Sequence, residues 1–86
     1  MTAIAHEAAR SALLEAICAI APETDPAAVL PDRPLRDQID LDSFDWLNVI
    51  IGLSTRLGIE VPERDYAELR TLDSAADYLV RRSAAV

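Results

Sequence analysis

The residues of this sequence best placed to do chemistry are Asp42 and Ser43, which directly precede a strongly amphipathic stretch. A short polar side chain at a helix start accepts hydrogen bonds from the free N–H groups of the first turn. Those N–H groups and the helix dipole also favour an anion beside the serine. The Ser43 hydroxyl could therefore carry a phosphate group at little electrostatic cost. The plain alternative is that Ser43 is only a helix cap, worth about 1 kcal/mol of stability.

No other residue predicts a catalytic or metal centre. His6 is the only histidine, lies near a terminus, and has no suitably spaced partner for a metal site or a catalytic triad. Cys18 is the only cysteine and is interpreted as a mostly buried thiol, because no activating group lies near it in sequence. The acids between positions 32 and 45 are interpreted as a solvated loop, so we expect no metal.

The composition limits the class of partner. The net charge is −7, from 15 acidic residues against 8 arginines and no lysine. Nucleic-acid binding requires a basic surface, so we expect no nucleic-acid partner. No segment has the ~18–20 consecutive apolar residues of a membrane span, and the N-terminus lacks the basic start of a signal peptide. We expect a cytoplasmic monomer.

The elements that must position Ser43 are helices. Residues 22–41 contain four of the five prolines, so we expect a long loop with no regular helix beyond a short turn at 26–30. Gly58 is placed as a left-handed C-cap, and Thr71 or Asp73 as the cap of the last helix. No strand alternation is present. The prediction is a single domain over 1–86, an all-α four-helix bundle with a long first loop and a short third helix. The first three helices are expected over about 2–21, 43–57 and 63–69, and the last runs from its cap at Thr71 or Asp73 to about 82.

The helix over 43–57 has two distinct faces by its spacing of about 100° per residue. One face is expected to enter the core against Leu13, Ile17, Leu72 and Leu79, and comprises Leu47, Ile50, Leu53 and Leu57. Trp46 lies at the edge of that face. The other face should form a contact surface for partners, and it brings together Phe44, Asn48, Ile51 and Thr55.

From Leu35 to Leu79 this sequence resembles the acyl carrier protein family. The run Asp42-Ser43-Phe44-Asp45 is similar to the family's attachment motif, with Phe44 where leucine is usual. Gly58-Ile59-Glu60-Val61-Pro62 resembles the segment after the family's second helix. Leu69, Thr71-Leu72 and Asp77-Tyr78-Leu79 resemble its closing helices without a gap.

The resemblance implies that Ser43 is modified rather than catalytic. A separate phosphopantetheinyl transferase would attach 4′-phosphopantetheine from coenzyme A with Mg²⁺, and the arm would hold an acyl group as a thioester. The chain would be no enzyme, and its partners would be the transferase and the enzymes that load and use the acyl group. The transferase and partners are expected to contact Asp42, Phe44, Asp45, Asn48, Ile51 and Thr55. The acyl pocket is expected to include Trp46, Leu47 and Ile50.

Three departures from the family pattern bear on partner choice. Asp40 stands where glycine is frequent, and we expect the turn to survive because aspartate tolerates left-handed geometry better than most residues. Phe44 is shared with a few carrier subfamilies. The partner-facing side of the second helix has also lost carboxylates that the carriers of fatty-acid synthesis have, and here reads Asn48, Ser54, Thr55 and Arg56. We therefore expect a specialised lipid or secondary pathway. The alternatives left open are an unloaded interaction module with the carrier fold, and an aminoacyl or peptidyl carrier.

Overall fold

The computed structural model describes residues 4–84. Helix α1 spans His6–Ile20, a short α2 spans Leu35–Gln38, α3 spans Ser43–Leu57 and α4 spans Leu72–Ala84. Two 3₁₀ helices complete the set, the first over Pro26–Ala28 and the second over Glu63–Leu69. Four of these helices have seven or more residues and the described part of the chain has no strand, so the all-α four-helix bundle with a short third helix is confirmed.

Helix α1 begins later than the sequence suggested. Thr2, the predicted start, lies outside the described residues, and Ala5 is extended at the N-cap position. The Ile4 N–H instead donates to the Ser83 hydroxyl of α4 at 3.0 Å. This bond ties the chain start to the end of the bundle, and the helix begins at His6.

The long loop contains a helix that we did not predict. Pro34 occupies the N-cap position of α2 and Leu35 is completely buried, so a proline-rich segment still starts a helical turn where a proline costs no hydrogen bond. The Leu35 N–H donates to the Arg70 carbonyl at 2.8 Å, and the Asp73 N–H donates to the Pro31 carbonyl at 3.0 Å. These bonds fix the loop against the junction between the second 3₁₀ helix and α4.

The C-terminal end of α3 and the N-terminal end of α4 agree with the predicted caps. Gly58 ends α3 in the left-handed conformation, with φ 63° and ψ 30°. At the start of α4 the Ser74 N–H donates to the Thr71 hydroxyl at 3.0 Å, and the Thr71 N–H donates to the Ser74 hydroxyl at 3.1 Å. Thr71 is therefore the cap, in a reciprocal arrangement that satisfies two free N–H groups.

The core confirms the predicted buried face of α3 except at one end. Ile50 and Leu53 are buried with Leu13, Ile17, Leu72 and Leu79, and Leu57 packs against them. The placement of Leu47 in the core is wrong, because that side chain is 40% exposed. Six residues turn about 600°, so Leu47 lies about 120° around the helix from Leu53, whereas Val49 lies only about 40° away. Val49, which we did not predict, is completely buried.

Candidate functional site

Asp42, not Ser43, caps helix α3. The Asp42 carboxylate accepts from the Asp45 N–H at 2.8 Å, and its backbone carbonyl accepts from the Trp46 N–H at 2.9 Å. These are the two bonds that define an N-cap residue. The alternative that Ser43 serves only as a cap is therefore wrong.

Ser43 is the first helical residue and is exposed to solvent. Its hydroxyl has no hydrogen-bond partner within residues 4–84. The 15-residue helix behind it directs its positive dipole end at this position. A hydroxyl at this position can take a phosphoryl group without giving up a bond that stabilises the fold, so the local geometry fits a phosphopantetheine linkage.

In the loop before Ser43, buried and exposed side chains alternate. Ile39 is 7% exposed and Leu41 is 6% exposed, while Asp40 and Asp42 face solvent. The turn forms without the left-handed geometry that aspartate tolerates, because among the described residues only Gly58 has positive φ. Anchoring by Ile39 and Leu41 makes this turn in extended backbone instead, so no glycine is required.

Three apolar side chains of α3 are exposed beside Ser43. Phe44 is 71% exposed, Leu47 is 40% exposed and Ile51 is 53% exposed. Their successive spacings of three and four residues place them on one side of the helix, each about one turn from the next. We call Phe44, Leu47 and Ile51 the α3 patch. Leu47 thus lies in the patch rather than in the core.

The polar residues expected in this surface lie along its edge. The Asn48 amide donates to the Phe44 carbonyl at 3.1 Å, and the Thr55 hydroxyl donates to the Ile51 carbonyl at 3.0 Å. Each side chain is therefore bonded back onto its own helix. The structure brings all four predicted residues, Phe44, Asn48, Ile51 and Thr55, onto one side of α3.

The predicted pocket residues do not line one common cavity. Trp46 is half-buried and lines a cleft of about 310 Å³ together with Tyr66. Ile50 is buried and lines a separate groove of about 430 Å³, which also includes Val61 and Tyr66. Tyr66 borders both spaces and was not predicted. Its only sequence signal is that it is an aromatic residue in the short segment between α3 and α4.

The other two candidate residues weighed for chemistry, His6 and Cys18, both lie in α1. The His6 ring nitrogen lies 3.1 Å from an Asp77 carboxylate oxygen, in an exposed pair between α1 and α4. Cys18 is partly exposed, with its sulfur 3.7 Å from the Thr24 carbonyl oxygen. Within residues 4–84 no group of three histidine, cysteine, aspartate or glutamate side chains is arranged to hold a metal ion. None of the helices described is long and apolar enough to cross a membrane.

The comparisons with known proteins point to one family. Residues 11–79 match the family model of the phosphopantetheine attachment site. The chain is 30% identical over 78 residues to the acyl carrier protein of Tropheryma whipplei strain Twist, covering 87% of this chain and 95% of that protein. It is 28% identical over 79 residues to the acyl carrier protein of Thermosynechococcus vestitus, covering 88% and 98%.

The fold is similar to that of a solved structure. The solution structure of a candidate acyl carrier protein from Anaplasma phagocytophilum superimposes with a TM-score of 0.78 at 21% identity, covering 96% of this chain and 97% of that one. At that identity the likeness concerns the fold, and the sequence matches concern the family. The chain therefore belongs to the acyl carrier protein family, whose cofactor is covalently attached 4′-phosphopantetheine.

Proposed function

We propose that Ser43 is the residue that receives 4′-phosphopantetheine in this chain. The single observation that carries the proposal is the division of roles at the start of α3. Asp42 satisfies the free N–H group of the first turn, and the adjacent Ser43 hydroxyl is exposed with no partner in the described part of the chain. A residue needed for the cap could not be modified without loss of that cap, whereas Ser43 can.

The transfer needs a separate transferase and coenzyme A. The Ser43 oxygen forms a bond to the phosphorus next to pantetheine, the bridging P–O bond of the diphosphate breaks, and adenosine 3′,5′-bisphosphate leaves. The hydroxyl proton passes to a base of the transferase. The dipole of α3 stabilises the phosphodiester that results. Asp42 lies beside the reacting oxygen, where its carboxylate can help to position the transferase and its Mg²⁺.

The chain then acts as a carrier and has no enzymatic activity of its own. The arm supplies a terminal thiol that holds an acyl group as a thioester, and partner enzymes perform the chemistry on that group. The chain's own contribution is to present the arm from a helix whose opposite face is anchored in the core by Val49 and Leu53, both completely buried. Because the helix is held in place, it restricts the directions from which the cargo can approach a partner.

Partner enzymes are proposed to recognise the α3 patch around Ser43, with Asp42, Asp45, Asn48 and Thr55 at its edge. The patch exposes three large apolar side chains, and such patches on small proteins mark contact surfaces. Carboxylates near it are few, because Asn48 and Thr55 replace the acids that the carriers of fatty-acid synthesis have there. This difference supports a carrier of a specialised lipid or secondary pathway.

The attachment residue is tested by intact mass after incubation with a phosphopantetheinyl transferase, coenzyme A and Mg²⁺. The native chain should gain the ~340 Da of the transferred group, and Ser43→Ala should gain nothing. Ser11→Ala, at an exposed serine of α1, is the matched control and should be modified like the native chain. A native chain that stays unmodified would support the unloaded interaction module, and a modified Ser43→Ala would place the arm elsewhere.

A further inference from the structure

The cleft beside Trp46 differs in character from the apolar core. It holds about 310 Å³ and opens at a residue one helical turn from Ser43. Two aromatic side chains, Trp46 and Tyr66, line it. Its other lining residues are Pro34, Arg36, Asp37, Ala67 and Arg70. This volume is at the lower end for ligand pockets, so the cleft suits a small group rather than a long hydrocarbon chain.

Arg36 is held beside the attachment serine. Its Nε and Nη2 atoms both donate to the Leu41 carbonyl, at 3.4 and 3.3 Å, and Leu41 precedes Ser43 by two residues. The remaining nitrogen, Nη1, has no acceptor among the described residues. These two contacts orient the exposed guanidinium and leave the N–H groups of Nη1 for a ligand.

Arg70 reaches the same cleft from the other side. Its carbonyl accepts from the Leu35 N–H at 2.8 Å, which places the Arg70 backbone next to the turn that carries Arg36. Within residues 4–84 no carboxylate lies within the 4.0 Å of an ion pair from either guanidinium. The lining holds two arginines and one carboxylate, Asp37, so its formal charge is +1 in a chain of net charge −7.

We propose that this cleft receives the free end of a short acyl cargo that carries a carboxylate, such as the end of a dicarboxylic acyl group. Guanidinium groups bind carboxylates through paired hydrogen bonds, and the two aromatic rings would flank the carbon chain. An ammonium-bearing cargo would face two like charges and a single carboxylate. The proposal rests on the proposed function, since an arm on Ser43 is what brings a cargo to this cleft.

Trp46 lines this cleft and is the only tryptophan in the chain, so the tryptophan emission comes from a residue at the cleft. The transferase is used to load the chain with the succinyl, butyryl or unacylated arm from the corresponding coenzyme A, and intact mass verifies each product. The succinyl form should show a shifted Trp46 emission, lower access of a neutral quencher and a higher melting temperature than the other two. The difference should shrink as salt is added, because the contact is between charges at the surface.

Arginine variants assign the effect to the cleft. Arg36→Gln and Arg70→Gln should each reduce or abolish the response specific to the succinyl form. Arg64→Gln is the matched control, because this substitution removes the same charge. Arg64 lies in the same 3₁₀ helix as Tyr66 but does not line the cleft. Arg36 and Arg70 lie in different segments of the chain, so a loss of the response in both variants would not be explained by local loosening of one turn.

The outcomes separate this proposal from the proposed function. If no form gains mass, the proposed function fails and the cargo proposal fails with it. If loading succeeds but the succinyl and butyryl forms respond alike, the cleft does not recognise a carboxylate and the cargo proposal alone is overturned. If the unacylated arm gives the full response, the anion in the cleft is the phosphodiester of the arm and not the cargo, which also overturns it.

Discussion

Asp42 and Ser43 are adjacent, yet Asp42 caps helix α3, whereas the exposed Ser43 is the residue proposed to carry the arm. Asp42→Ala removes the 2.8 Å bond from the Asp45 N–H to the cap carboxylate. Loss of an N-cap acceptor costs about 1 kcal/mol, within a range of about 0.5–2. Loss of the negative charge at the helix start adds about 0.3–1 kcal/mol. Asp42→Ala should therefore lower the free energy of unfolding by about 1–2 kcal/mol.

Two further variants divide this total. Asp42→Asn keeps a good cap acceptor and removes only the charge, so it should cost at most about 1 kcal/mol. Ser43→Ala removes a side chain with no hydrogen bond in the described structure, so its effect should stay within about 0.5 kcal/mol. For a chain of this size, 1 kcal/mol corresponds to a shift of about 4–8 °C in melting temperature. The order of melting temperatures should be Ser43→Ala near wild type, then Asp42→Asn, then Asp42→Ala.

The assay pairs thermal unfolding, followed by circular dichroism, with a time course of intact mass during transfer of the arm. Ser43→Ala should melt like the native chain and never be modified. Asp42→Ala should melt early and still be modified, more slowly than the native chain. The reasoning would be refuted if Ser43→Ala destabilised the chain as much as Asp42→Ala does, because the serine would then be the cap.

Other consequences are testable with single variants. Leu53→Ala should cost about 2–5 kcal/mol, because that side chain is completely buried, whereas exposed Leu47→Ala should cost far less in the same urea titration. Burial and a carboxylate hydrogen bond raise the pKa of Tyr78 from its ordinary 10.0 to about 12. That stabilisation is complete below pH ~10 and is lost as the pH rises through ~12, so melts of Tyr78→Phe should depend less on pH in this window. Binding of the loaded chain to its enzyme should weaken on Phe44→Ala or Ile51→Ala and depend little on salt; a steep salt slope with both variants unaffected would contradict an apolar patch.

The helices could be predicted because their signals are local. For α3 the signals are an amphipathic pattern, Asp42-Ser43 at its start and Gly58 at its end, all of which lie in or next to the helix. The structure has α3 at Ser43–Leu57, as expected. The proline-rich loop is different. The N–H of Leu35, the first residue of the short α2, donates to the carbonyl of Arg70, which is far away in the chain. A local pattern contains no information about such a contact.

The candidate site was predictable in its centre and less so in its surroundings. Ser43 was proposed from the helix-start signal and the family resemblance, and the patch residues Phe44 and Ile51 follow from helical spacing. Leu47 was misplaced because an apolar residue next to a buried face can belong to either side, and only the packing of the bundle decides. The charged cleft was missed since Arg36 and Arg70 come together through tertiary contact and share no motif.

In the described structure, the residues of α3 and its cap that stabilise the fold differ from the residues that are proposed to carry the arm and contact partners. The cap bond uses Asp42, and the buried face uses Val49 and Leu53. Ser43 and the exposed Phe44 contribute little to either, so each can be altered or modified without unfolding the helix beneath it. A carrier that meets several enzymes requires these two sets of residues to differ, because the cargo on the arm changes at each step while the folded helix has to stay the same. Residues that contribute to stability therefore predict poorly which enzymes the chain serves, and the exposed residues of α3 are where that choice has to be sought.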